Sequence, residues 1–226
     1  MNVRVIIPWR AGCPHREAAL EWVLRRWRAS HPAWPVTLAE LPDGPWIKAN
    51  AVNTAAAAAP EPWLVIADSD VWSDHAAVAV NELARKQWAM PHRPVFRLTQ
   101  QATAAVLAGA PLTEFGRHRG LTERPYYGAP TGGMLMIHRD TLLDIPMDPR
   151  FIGWGGEDYS LGDALQTLAG RPARLDQPLW HLWHPPQDRI SRRVGSRANH
   201  ELRRRYLNAH NNTAAMRRLI NEFKTT

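Results

Sequence analysis

Trp63-Leu64-Val65-Ile66-Ala67-Asp68-Ser69-Asp70 is an unbroken apolar run of strand length that ends in two carboxylates one residue apart. A strand without polar alternation is one buried on both faces, as in a sheet flanked by helices. In open α/β sheets ligands bind outside the carboxyl ends of the strands, which is where this run delivers Asp68 and Asp70. Closely spaced acids in a turn also serve ordinary turn and capping purposes. As ligands they are hard oxygen donors suited to Mg²⁺, Mn²⁺ or Ca²⁺, ions that commonly bridge to substrate phosphates.

Upstream, Val3 to Ile7 is a second buried strand closed by Pro8. Ala19, Leu20, Val23, Leu24 and Trp27 then share one face of a helix over His15 to Ala29, which Pro32 and Pro35 stop. A strand near Val36 to Leu41 and an alanine-rich helix over Ile47 to Ala59 follow. Downstream, the pattern predicts a helix over Asp74 to Trp88, strands at Pro94 to Leu98 and Gly133 to His138, and one long basic helix over Ala198 to Phe223. Gln100 to Pro130 reads as part helix and part mobile loop. Alternating units of this kind predict a largely parallel sheet covered by helices.

Gly153-Trp154-Gly155-Gly156-Glu157-Asp158 places two carboxylates behind three glycines and an indole. Leu161, Leu165 and Leu168 continue at helical spacing, so Glu157 and Asp158 fall on a first helical turn, where the helix dipole favours an ionised carboxylate. A glycine turn with an acidic N-terminus accounts for the segment structurally; glycines that admit close approach of a ligand account for it functionally. His181 and His184, in Trp180-His181-Leu182-Trp183-His184, are either satisfied half-buried imidazoles or ligands completing a metal site begun by Asp68 and Asp70.

Composition narrows the class. The chain has 226 residues, enough to bury a sizeable core in one domain. No stretch approaches the roughly 20 apolar residues of a membrane span. Cys13 is the only cysteine, which excludes an intrachain disulfide and a multi-cysteine zinc site. The net charge is +7, and seven arginines between Arg189 and Arg205 stand against the single acid Glu201. Such a run is either a solvated helix face or a patch for phosphates and nucleic acid.

Taken in order, the first strand ending in Ile6-Ile7-Pro8, Lys48-Ala49-Asn50, Asp68-Ser69-Asp70, Thr131-Gly132-Gly133, Gly153 to Asp158 and His184 resemble a GT-A glycosyltransferase. The last glycine-rich piece is similar to the acceptor-side motif of the β-1,4-galactosyltransferases and of the polypeptide N-acetylgalactosaminyltransferase catalytic domain. The resemblance implies a single Rossmann-like α/β domain over residues 1–226, mostly parallel in its central sheet, with a basic C-terminal helix. Residues 1–100 would form the nucleotide-sugar half, 101–186 the acceptor half and 187–226 the basic tail. It implies Mn²⁺ or Mg²⁺ on Asp70, with Asp68 on the ribose or on the ion through water, and His184 or its rival His181 as a further ligand. A UDP- or GDP-sugar would lie against Pro8, Trp9, Arg10, Lys48, Asn50, Gly132, Gly133 and Trp154. Asp158, with Glu157 beside it, would be the general base for inverting transfer of a hexosyl or N-acetylhexosaminyl group.

Departures from that pattern also count. Tyr159 stands where the galactosyltransferases carry a further acid, and neither a membrane anchor nor disulfides are present, which implies a cytoplasmic setting in a bacterium or a virus-infected host. The arginine run points to a polyanionic acceptor such as hydroxymethylated DNA; a protein Ser/Thr or a saccharide is the alternative. A non-catalytic nucleotide or nucleic-acid binding module is the reading from another class, and a metal-dependent nucleotidyltransferase or phosphatase would leave the glycine-rich segment unexplained.

Overall fold

A computed structural model describes residues 2–41, 43–76, 86–116, 119–186 and 196–224. The chain opens with β1 (Val3–Trp9), α1 (Pro14–Ser30), β2 (Val36–Glu40), α2 (Lys48–Ala58) and β3 (Trp63–Ala67). Strands β2 and β3 both pair with β1 in parallel. Two α/β units in succession thus build the parallel half of a six-stranded sheet.

Its other half comes from β5 (Trp88–Met90), β8 (Met134–His138) and β9 (Ala173–Arg174), in the order β2-β1-β3-β8-β5-β9. Here the sheet is mixed. β8 runs antiparallel to both β3 and β5, and only β9 with β5 restores a parallel pair. The cause is where β8 begins. The Asp68 N–H donates to the Gly133 carbonyl at 2.8 Å, so the chain enters β8 at the carboxyl end of β3 and can only run back along it. A four-stranded second sheet joins β4 (Val71–Trp72), β10 (Leu179–His181), β6 (Pro94–Arg97) and β7 (Tyr126–Tyr127) in that order.

Side-chain alternation sorts the interior into two layers. Val5, Ile7, Val65, Ala67, Met134 and Met136 pack with α1 and the second sheet, where Trp27 and Trp72 meet edge to face at 4.9 Å. Ile6, Leu64, Ile66, Leu135 and Ile137 face the opposite way, against α2, α4 (Arg139–Asp144), α5 (Glu157–Ala169), α6 (Arg197–Ala209) and α7 (Thr213–Lys224). Both faces of β1, β3 and β8 are covered, which explains their lack of polar alternation.

Several boundaries differ from expectation. Of the helix expected over Asp74 to Trp88, residues 77–85 lie outside the described residues, and Trp88 begins β5, fully buried with its indole N–H donating to the Gly170 carbonyl at 2.8 Å. Within Gln100 to Pro130, α3 (Gln100–Leu107) is capped by Thr99, whose hydroxyl accepts from the Ala102 N–H at 3.1 Å. The C-terminal helix is two helices. Asn211 has φ +61°, a conformation no helix continues through, and the Asn212 side chain starts α7 by accepting from the Ala215 N–H at 3.0 Å. No helix among the described residues is long and apolar enough to cross a membrane.

Candidate active site

The two expected metal-ligand segments meet through a strand pairing that joins distant parts of the chain. Asp70 immediately precedes β4, and β4 pairs with β10 so that Val71 lies opposite His181. The Leu182 N–H donates to the Asp70 carbonyl at 2.8 Å, and the Trp183 N–H donates to the Thr103 hydroxyl, fixing the turn that carries His184. His181 Nε2 then lies 3.9 Å from Asp70 Oδ1, and His184 Nε2 lies 3.3 Å from Asp70 Oδ2. All three ligand atoms fall within 4.8 Å of one another.

Protonation suits this trio to a cation. Each Nδ1–H donates to a backbone carbonyl, Leu182 for His181 at 2.8 Å and Pro185 for His184 at 2.7 Å, so each Nε2 keeps its lone pair toward Asp70. Burial pushes His181 down to about 4 against the opposing pull of Asp70, and lowers His184 as well. Burial works against ionisation of Asp70, which is 5% exposed, but its histidine and arginine neighbours outweigh it and hold the carboxyl below its usual range. Two neutral imidazoles and one carboxylate are the forms in which these groups bind a divalent ion.

Asp68 sits apart from that trio, at the second focus of the site. Lys48, on the first turn of α2 and 8% exposed, places Nζ 2.8 Å from Asp68 Oδ1 and 3.0 Å from Asp158 Oδ1. One ammonium therefore faces the carboxyls of Asp68, Asp158 and Glu157, and it cannot neutralise all three. Burial, and then the charge of Asp158, push Glu157 up to about 8, leaving it protonated at neutral pH. Burial also raises Asp158, but Lys48 opposes this through charge and a hydrogen bond. Burial would lower Lys48; the three carboxyls overcome it and raise it. Both acids are raised, but only Asp158 has the Lys48 ammonium in hydrogen-bond contact, so Asp158 is the one whose ionised form is held by a cation.

The glycines around Asp158 have separate reasons. A Cβ on Gly132 would stand 3.3 Å from Asp158 Oδ2, so this glycine leaves the carboxylate room. Gly133 has φ +83°, and a Cβ there would collide with Leu179 Cδ2, so its need is backbone shape and core packing. Pro130 lies against Gly162 of α5, and the Thr131 hydroxyl donates to the Asp158 carbonyl at 2.6 Å, joining the 129–133 loop to the start of that helix. Gly153, Gly155 and Gly156 all have positive φ, and Gly156 is the N-cap of α5, so the turn delivering Glu157 and Asp158 is one only glycine forms readily.

Other expected site residues fall at varying distances from these two foci. Pro8 and Trp9 are buried within β1, and Trp9 belongs to the core beside α1. Arg10 reaches out from the end of β1, donates to the Gly44 carbonyl at 2.8 Å and stacks 5.6 Å over Trp46. Asn50 is exposed on α2, and Trp154 is half-buried in the glycine-rich turn. Arg16 was missed by sequence reasoning. It extends from α1 to within 3.7 Å of Asp70 Oδ2 and 3.4 Å of His184 Nε2. Its only sequence signal is a basic residue on the first turn of the helix that follows the first strand.

The basic tail is less free than its composition implies. Arg189, Arg192 and Arg193 lie outside the described residues. Of the other four, Arg197 pairs with Glu201, Arg203 with Asp163 and Arg205 with Glu222, while Arg204 is exposed.

Six strands with helices on both faces, and acids at the carboxyl end of β3, decide the fold comparison. The catalytic domain of Drosophila β1,4-galactosyltransferase 7, solved with xylobiose, superposes with a TM-score of 0.54 at 15% identity, over 90% of this chain and 79% of that one. The fold is the GT-A glycosyltransferase fold. Glucosyl-3-phosphoglycerate synthase from Mycobacterium tuberculosis, solved with Mn²⁺, UDP-glucose and phosphoglyceric acid, gives a TM-score of 0.48 at 18% identity, over 83% of this chain and 73% of that one. No protein-family model matches the sequence, and neither does any curated protein.

Proposed function

We propose that this chain is a divalent-metal-dependent glycosyltransferase that moves a hexosyl or N-acetylhexosaminyl group from a UDP-sugar, or a GDP-sugar, to an acceptor hydroxyl with inversion. The observation that carries the reading is Lys48, which ties Asp158, the candidate base, to Asp68, two residues before the Asp70, His181 and His184 cluster. Donor and acceptor chemistry are thereby held at one end of the sheet, within the GT-A fold.

Asp70, His181 and His184 would hold Mn²⁺ or Mg²⁺, which when bound neutralises charge on a departing diphosphate. Arg16 adds a fixed positive charge beside that cluster, and Asp68 is free to meet the ribose through the oxygen Lys48 does not engage. Asp158 Oδ2, facing Gly132, accepts the proton of the acceptor hydroxyl as its oxygen bonds to the anomeric carbon and the carbon–phosphate oxygen bond breaks. Glu157, kept neutral, adds no second negative charge to repel the diphosphate. Trp154 offers an apolar wall to a sugar face. In this reading residues 1–100 supply the donor half and 101–186 the acceptor half.

The acceptor is a hydroxyl compound, and three of the four described arginines of the 189–205 run are paired within the chain. A polyanionic acceptor such as hydroxymethylated DNA rests on Arg204 and on the arginines of 187–195, and salt-sensitive gel shifts of duplex DNA would support it. Incubation with UDP-, GDP- and TDP-sugars plus Mn²⁺, read as nucleotide release, tests the reading itself. Release from one donor, lost in Asp70→Ala, is expected; a panel in which no donor is bound or consumed rejects it. NMR of the product decides stereochemistry, since an anomer identical to the donor's rules out inversion.

A further inference from the structure

Asn199 lies on the first turn of α6, 1% exposed, and 44 to 47 residues along the chain from the glycine-rich turn it contacts. Ser196 caps that helix by accepting from the Asn199 N–H at 3.1 Å, so the Asn199 side chain is not needed for capping. Its Nδ2 instead donates to the carbonyls of Ile152 and Gly155, each at 3.0 Å, and reaches the Trp154 carbonyl at 3.5 Å. Its Oδ1 accepts from the Ile152 N–H at 3.3 Å. A primary amide has two N–H donors, and both are committed to this one turn.

The turn has particular need of such a partner. Three glycines at positive φ within four residues form no regular ladder, so their backbone groups must be satisfied from elsewhere, and glycine leaves the unclamped segment many alternative shapes. Phe151 closes the turn from below, where a Cβ on Gly156 would lie 2.8 Å from its ring. Asn199 closes it from the side.

On the transferase reading above, this turn bears Trp154 and feeds directly into Glu157 and Asp158. We infer that Asn199 is a positioning residue for acceptor transfer: it holds the 152–155 backbone so that Trp154 and the start of α5 present one fixed surface to the incoming hydroxyl. None of its hydrogen bonds touches Lys48, Asp68, Asp70, His181 or His184, so binding of the metal and of UDP does not depend on it.

The test uses the full chain with Mn²⁺ and the donor identified by nucleotide release. Asn199→Ala, and Asn199→Asp in case the first variant does not fold, are compared with wild type in three measurements. Hydrogen exchange of residues 152–156 should accelerate about tenfold or more, as expected when buried hydrogen bonds are lost. UDP affinity by calorimetry should stay within about threefold, since a factor of that size is well under 1 kcal/mol. Transfer to free xylose, galactose or N-acetylglucosamine, divided by hydrolysis of the same donor, should fall about tenfold with a raised acceptor KM, the signature of lost orientation. Unchanged exchange overturns the clamp. Faster exchange with an unchanged ratio, or UDP affinity falling with transfer, overturns the positioning role. A wild-type chain that neither binds nor consumes a nucleotide sugar removes the transferase reading and this role with it, and leaves exchange to report the clamp alone.

Discussion

Lys48 stands between Asp68 and Asp158 at hydrogen-bond distance from each, and its burial makes that pairing consequential. Breaking a buried ion pair by removing one partner costs about 3–5 kcal/mol, because the remaining charge stays buried. Lys48→Met should therefore lower stability by about that much in urea titration. It should also move the acid limb of the transfer–pH profile upward, since Lys48 is what holds Asp158 down against burial. Glu157 gives a second pH signature. Its folded pKa of about 8 lies above its ordinary 4.5, so its contribution to stability is complete below that ordinary value and is lost as pH rises through 8. Wild type should lose stability relative to Glu157→Gln across that window; parallel curves would place Glu157 in water.

At the scale of elements, the C-terminal helices are anchored through one buried carboxylate. Asp148 accepts from the Tyr206 hydroxyl of α6 at 2.9 Å and from the Arg150 guanidinium, which also meets Glu222 of α7. Tyr206→Phe removes one of those bonds to a buried charged group and should cost about 1–3 kcal/mol in urea denaturation. Here the limits of sequence reading show clearly. α1, α2, β1 and β3 were legible to within two residues, because their apolar runs are long and prolines stand just beyond α1 and α2 and just before β3; β1, expected to close at Pro8, runs on through it to Trp9. The split at His210 to Asn212 was missed although Asn-Asn-Thr is a helix-starting signature, since apolar residues resume beyond it in helical phase, Leu202, Tyr206 and Ala209 before it and Met216, Leu219 and Ile220 after it. Trp88 was drawn into a helix because a short buried strand has no period of its own. The pairing of β4 with β10, which brings Asp70 to His181, leaves no local trace; that the histidines would join Asp70 was expected from ligand chemistry and from the family resemblance, while the strand pairing that joins them was not. Arg16 was invisible for the same reason.

Across the whole molecule, the site joins the first strand unit, the second sheet and the start of α5, so ligand binding should stabilise the entire fold. Mn²⁺ with UDP at about a hundred times their dissociation constant would add about 2.7 kcal/mol. For a chain of this size that raises Tm by roughly 5–11 °C. Asp70→Ala should abolish the shift and chelation should reverse it; an equal shift in the variant would move the metal away from Asp70, His181 and His184.

The most direct measurement is made on Asp158→Asn, with UDP affinity and sugar transfer determined on the same preparation in Mn²⁺. A carboxylate that serves as base contributes about 10²–10⁴-fold to the chemical step and little to holding the donor. UDP affinity should stay near wild type while transfer falls by that factor. Transfer that survives the substitution, or that falls only because UDP no longer binds, would contradict the role of Asp158 as the base of this site.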